Sequence, residues 1–216
     1  MPTGNAEVLG CRDVVFRYPG GAKDITSNLS FKTIGGDVVW CVGDNGTGKT
    51  TLALLIAGAL RPISGQVTIG GLAPSDVSIK QRTRLAFVVQ QRTFLGFVKA
   101  TLGKELSFAA RQANLRGLSV TLEEAIRSCG LVGLEKNNPL DLSYTQAWRS
   151  ALAIGFIINP AVLFVDELPN ISSKLVMEAV HYVLARRCKE NKVTLISAHE
   201  SPPSNLPVTQ VLELSP

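Results

Sequence analysis

No run of apolar residues in this chain is long enough to cross a bilayer. The longest, Ala151 to Ile158, falls far short of the roughly 20 residues that a spanning helix needs. The first residues carry no apolar core of a secretion signal, so the chain is expected not to span a membrane by itself. Cysteine is sparse: Cys11, Cys41, Cys129 and Cys188 stand far apart with no C-x-x-C pair, which argues against disulfide and zinc frameworks. They are expected to be small core residues in a reducing compartment. Lys and Arg number 22 against 17 Asp and Glu, a formal charge of +5, and no run of basic residues concentrates it. This balance fits a mixed, solvated surface and argues against nucleic acid as a partner. With 216 residues and 45% hydrophobic content, the chain can bury one good core and a small inserted subdomain, not two independent domains.

What is present centres on Val38 to Thr51, an apolar run followed by Gly43-Asp44-Asn45-Gly46-Thr47-Gly48-Lys49-Thr50-Thr51. An apolar strand, a glycine-rich turn and a helix onset through Leu52 to Leu60 form the arrangement of a phosphate-binding loop. Gly43, Gly46 and Gly48 let the backbone turn successive N–H groups toward one centre, which suits a polyphosphate such as that of ATP. Lys49 would reach the β- and γ-phosphates, and the Thr50 hydroxyl would ligand the bridging Mg²⁺.

Around this loop the chain alternates strands and helices. Strands are expected at Cys11–Tyr18, Leu29–Thr33, Gln66–Ile69, Leu85–Val89, Ala161–Asp166, Val193–Ser197 and Val208–Leu214, with a helix from Ser172 to Glu190. Residues 92–158 turn helical, with Leu102, Leu106 and Ala109 on one face and Leu122, Ala125 and Ile126 on another. The expected architecture is α/β, a mainly parallel sheet with antiparallel edge strands and a helical subdomain inserted over 92–158, all in one domain spanning 1–216. Tyr18 would either stack on adenine or pack at a strand end. Gln90, at the carboxyl end of a strand, would touch Mg²⁺ or the attacking water. Asp166 would hold Mg²⁺ through water, and Glu167 would accept a proton from the water attacking the γ-phosphate, or orient it. His199 would bond the γ-phosphate and that water, or stand as a loop residue. His181, on a helix, is expected to be structural or exposed.

These motifs, in this order, resemble the nucleotide-binding domain of ABC-type ATPases over nearly the whole chain. The matching residues are Tyr18, the Walker A segment Gly43 to Thr51, a Q-loop glutamine at Gln90, a Walker B ending in Asp166-Glu167, and a switch histidine at His199. The stretch Phe97 to Phe108 looks like the segment after the Q-loop in ATPases of energy-coupling factor transporters, which import cobalt and vitamins. The resemblance implies a P-loop, RecA-like core, an ATP-driven clamp of two such domains, and separate transmembrane subunits with this chain peripheral on the cytoplasmic face. Export-type assemblies and a mainly regulatory ATP-binding partner remain as alternatives.

Two segments depart from the family pattern. Its Leu-Ser-Gly-Gly-Gln signature, which caps ATP on the opposite subunit, is here Leu142-Ser143-Tyr144-Thr145-Gln146, keeping Ser143 and Gln146 but neither glycine. After Glu167 the chain continues Leu168-Pro169-Asn170-Ile171-Ser172-Ser173 and lacks the D-loop aspartate. What this chain would contribute to its own ATP is intact, whereas what it lends to a partner is altered. The asymmetry implies a heterodimer with a second ATPase that has an intact signature.

Overall fold

The computed structural model describes residues 6–91, 96–114, 120–169 and 173–215. Three strands, β1 (Glu7–Phe16), β2 (Thr26–Ile34) and β4 (Ser64–Ile69), form an antiparallel sheet in the order β2-β1-β4. Five others, β3 (Val38–Val42), β5 (Ala86–Val89), β6 (Val162–Asp166), β7 (Val193–Ala198) and β8 (Gln210–Glu213), form a parallel sheet in the order β5-β6-β7-β3-β8. The antiparallel strands thus make a sheet of their own beside the parallel one.

Helices fill the crossovers: α1 (Lys49–Ile56), α2 (Ile79–Leu85), α3 (Leu102–Asn114), α4 (Leu122–Ser128), α5 (Tyr144–Ile158) and α6 (Lys174–Lys189). The expected helical stretch 92–158 supplies α3, α4 and α5, while 92–95 and 115–119 lie outside the described residues. Helix α1 is shorter than the expected run to Leu60, because Ala57 caps it and Gly58 turns left-handed at φ 68°.

Every residue of β6 and β7 is buried, as strands covered on both faces require. Alternation divides their side chains between two cores. Trp40, Leu163, Val165 and Ile196 pack with α3, α4, α5 and α6; Val39, Cys41, Phe164 and Leu195 pack with α1 and the antiparallel sheet. The inserted helices therefore share one apolar cluster with the parallel sheet.

Arg187 of α6, wholly buried, closes the base of the sheet. Its guanidinium donates to Thr194 Oγ1 at 3.0 Å, Asn159 Oδ1 at 2.9 Å and the Val193 carbonyl at 2.8 Å. It joins the end of α6 to the start of β7 and to the turn leaving α5. No helix among the described residues is long and apolar enough to cross a membrane.

Candidate functional site

Because β3, β6 and β7 run parallel, their carboxyl ends meet at one edge, where ligands bind in open α/β sheets. From β3 the chain enters the glycine-rich loop. Gly46 (φ 84°) and Gly48 (φ 95°) hold left-handed conformations, and Gly48 is the N-cap of α1. A Cβ on Gly43 would lie 2.5 Å from Thr47 Oγ1 and 2.6 Å from the Leu214 carbonyl, so the close packing there needs glycine. Thr47 braces the loop by donating to the Asp44 carbonyl at 2.9 Å, and Asn45 is exposed at its tip.

Lys49 is buried, its Nζ donating to the Gly43 and Asp44 carbonyls at 2.6 and 2.9 Å and lying 3.4 Å from His199 Nδ1. Thr50 Oγ1 donates to Asp166 Oδ2 at 2.9 Å. Thr51, on the same turn, is buried, and the Tyr18 hydroxyl lies 3.2 Å from its Oγ1. The Tyr18 ring stands edge-on to Phe16 with centroids 5.0 Å apart and remains half-exposed. Tyr18 thus borders the loop while packing at the strand end.

Asp166 and Ser197 pair in register across β6 and β7. Ser197 Oγ donates to Asp166 Oδ1 at 2.8 Å and accepts the Glu167 N–H at 3.0 Å. Glu167 itself is left-handed at φ 66°, a conformation unfavourable for a residue with a Cβ. Its carbonyl accepts the Trp148 Nε1 proton at 3.2 Å, so both sides of the turn are fixed. Its carboxylate lies 3.0 Å from His199 Nε2 through Oε1 and accepts from Gln91 Nε2 at 2.5 Å through Oε2. Trp40 Nε1 donates to the Glu200 carbonyl at 2.7 Å and ties the loop bearing His199 to β3.

Two adjacent glutamines, Gln90 and Gln91, leave β5. Gln91, not Gln90, bonds the acidic cluster. Gln90, expected at Mg²⁺ or the attacking water, lines a groove. That groove, about 800 Å³ and mainly apolar, runs between α2, β5, α3 and α5, with Ile79, Phe97, Val98 and Phe108 among its walls.

Ser143 and Gln146 form a reciprocal capping box at the start of α5. Ser143 Oγ accepts the Gln146 N–H at 3.3 Å and Gln146 Oε1 accepts the Ser143 N–H at 2.9 Å. Tyr144 donates from its hydroxyl to the Gln91 carbonyl at 3.4 Å. Burial, then the nearby Glu167 carboxylate, raises the Tyr144 phenol above its ordinary value, so it stays a donor through neutral pH. Of the altered D-loop, residues 170–172 lie outside the described residues. Sequence reasoning missed Ser197, Gln91 and Trp148. A serine near the carboxyl end of a mostly apolar strand was the one available signal among them.

The family described as ABC transporter matches residues 26–170. An ABC transporter ATP-binding protein of Pyrococcus abyssi is 35% identical over 161 residues, a match covering 74% of this chain and 61% of the relative. An energy-coupling factor transporter ATP-binding protein of Geobacillus kaustophilus is 28% identical, with 88% of this chain and 69% of that protein covered. Among solved structures, a dimeric post-hydrolysis ATP-binding cassette bound to ADP and phosphate shares the fold with a TM-score of 0.74. Its identity is 20%, and the match covers 89% of this chain and 88% of that one.

Proposed function

The chain belongs to the ABC transporter family of ATP-binding proteins, and from that membership we propose that it is the ATP-binding and hydrolysing subunit of a membrane transporter. One observation carries the reading: Lys49 and Thr50 of the phosphate loop stand against Asp166, Glu167 and His199 at a single sheet edge. Lys49 would neutralise the β- and γ-phosphates, and the N–H groups of residues 46–51 would cradle them. Thr50 Oγ1 and Asp166 Oδ2, 2.9 Å apart, are hard oxygen donors and fit Mg²⁺. When bound, Mg²⁺ supplies positive charge across the phosphates. Ser197 holds Asp166 for that role. Glu167 would take the proton of the attacking water at its carboxylate, with His199 and Gln91 fixing the two oxygens. Tyr18, beside Thr51, offers a half-exposed ring face to the adenine.

The substrate class follows less directly. The likeness to the Geobacillus kaustophilus protein and the stretch Phe97 to Phe108 favour an energy-coupling factor importer of a vitamin or metal ion. The apolar groove beside Gln90 would receive a helix of a transmembrane subunit, which makes this chain a peripheral protein of the cytoplasmic face. Tyr144 and Thr145, in place of two glycines, favour pairing with a second ATPase whose signature is intact. The same two residues favour a second reading, a regulatory ATP-binding partner with weak hydrolysis.

Gentle detergent purification of the tagged chain from its own cells, followed by mass spectrometry, separates these readings. Recovery with a second ATPase and small membrane subunits is the expected result. Recovery alone, or with soluble proteins only, would overturn the transporter reading.

A further inference from the structure

Helix α5 touches the hydrolytic cluster twice from one face. Tyr144 and Trp148 are four residues apart and therefore one above the other on the helix. The first donates to the carbonyl of Gln91 and the second to the carbonyl of Glu167. These are the two residues whose side chains bond each other through Gln91 Nε2 and Glu167 Oε2. The four residues form a closed frame: two main-chain carbonyls held by α5, and one side-chain bond between their owners.

The frame bears on a strained residue. Glu167 sits at φ 66°, and a side-chain-bearing residue there persists only when its surroundings over-determine it. Ser197 fixes the N–H of that residue and Trp148 fixes its C=O. Trp148 is wholly buried, so its indole N–H has a single direction to point.

We propose that Tyr144 and Trp148 are positioning residues for Glu167, the tyrosine acting through Gln91 and the tryptophan through the Glu167 peptide. A shift of the first two turns of α5, which carry Tyr144 and Trp148, then moves both ends of the Gln91–Glu167 bond together. The first of these turns follows the N-cap Ser143 and includes Tyr144 to Gln146, the segment that the family resemblance sets against the partner's nucleotide. On that reading, Tyr144 conveys the state of the partner's site to this chain's own carboxylate.

The test uses two conservative variants in the purified complex. Tyr144→Phe removes a hydroxyl and Trp148→Phe removes an indole N–H, each leaving an aromatic ring. In each, kcat for ATP should fall on the order of 10-fold while KM stays within about twofold, because misplacing a reacting group affects the transition state and not nucleotide binding. A second readout needs no turnover. With ¹⁵N-labelled tryptophan in the nucleotide-free chain, the two indole resonances are assigned by Trp40→Phe and Trp148→Phe. Gln91→Ala should then move the Trp148 signal, since the bond that locks the Glu167 peptide is gone. An unchanged kcat in Tyr144→Phe, or an unmoved Trp148 resonance in Gln91→Ala, overturns the proposal. A wild-type complex without turnover would instead overturn the ATPase reading, and the indole resonance alone would then decide the positioning role.

Discussion

Ser197 and Asp166 form a buried pair beneath the phosphate loop, with Ser197 Oγ donating to Asp166 Oδ1 at 2.8 Å. The same hydroxyl accepts the Glu167 N–H, so one side chain holds both acidic residues in place. In Ser197→Ala the Asp166 oxygen and the Glu167 N–H each lose a buried partner. The expected loss is about 1–3 kcal/mol in urea-unfolding stability, the cost of unsatisfied buried polar groups. Glu167 then relaxes, and ATPase activity should fall with it. Unchanged stability and unchanged turnover in this variant would remove Ser197 from the site.

Lys49 should be the residue on which nucleotide affinity depends most. Lys49→Ala deletes the only ammonium described within the loop, together with its bonds to the Gly43 and Asp44 carbonyls. Affinity for Mg-ATP is expected to weaken by about 100-fold, in keeping with the loss of charged hydrogen bonds worth about 3 kcal/mol. Isothermal titration of the variant reads this directly, and an unaltered affinity would place the triphosphate elsewhere.

Glu167→Gln keeps the shape of the side chain but replaces one acceptor oxygen with an NH₂ donor and removes its basicity. Turnover should fall by roughly 10²–10⁴-fold, the range assigned to a positioned general base. ATP binding should persist, and the nucleotide-bound dimer should accumulate on light scattering. Normal turnover would deny Glu167 the role of base.

Alkaline pH should destabilise the chain through its core thiols. Burial pushes Cys11, Cys41 and Cys129 from the ordinary 9.0 to about 12. In the unfolded chain these thiols ionise from pH 9.0 upward, while the folded chain keeps its protons, so unfolding gains free energy as pH rises. Their stabilising contribution is complete below pH 9.0 and is lost as pH climbs toward about 12. Arg187, lowered by burial to about 9, works the other way, as do Arg149 and Lys192, which burial also lowers, while Cys188, Tyr144 and Tyr182, raised by burial, act with the three thiols. The net slope is downward, and urea midpoints measured between about pH 8 and about pH 10.5 should fall steadily. A flat profile would contradict the burial of these thiols.

The phosphate loop was legible because its chemistry is local. Glycine spacing, lysine and threonine follow one another within a single turn, and the strand before them has an unbroken apolar pattern. Gln90 and Gln91 illustrate what is not local. Two identical residues leave a strand side by side, and only the course of the backbone decides which one turns toward Glu167. Ser197 gave one hint, a hydroxyl near the carboxyl end of a mostly apolar strand, but its partner lies 31 residues away across β6 and β7. Trp148 reads as an ordinary core residue until the left-handed turn at Glu167 brings a carbonyl to it. Helix α2 was missed because Ile79–Leu85 buries none of its residues and has no apolar period; its one mark is the capping box of Ser78 and Gln81. Separation of β1, β2 and β4 into their own sheet is a pairing choice that alternation alone does not encode.

The strand order β5-β6-β7-β3-β8 also governs when the phosphate loop can take shape during synthesis. Strands β1, β2 and β4 all lie within residues 7–69, so the antiparallel sheet can assemble while the rest of the chain is still emerging. Strand β3 is made early as well, yet its two neighbours, β7 and β8, span residues 193–213. At about 5–20 residues per second, the apolar run Val38–Val42 waits many seconds for its flanking strands. Nucleotide affinity therefore emerges late on the ribosome, after an interval in which this run depends on α1 and the antiparallel sheet, or on a chaperone, for cover.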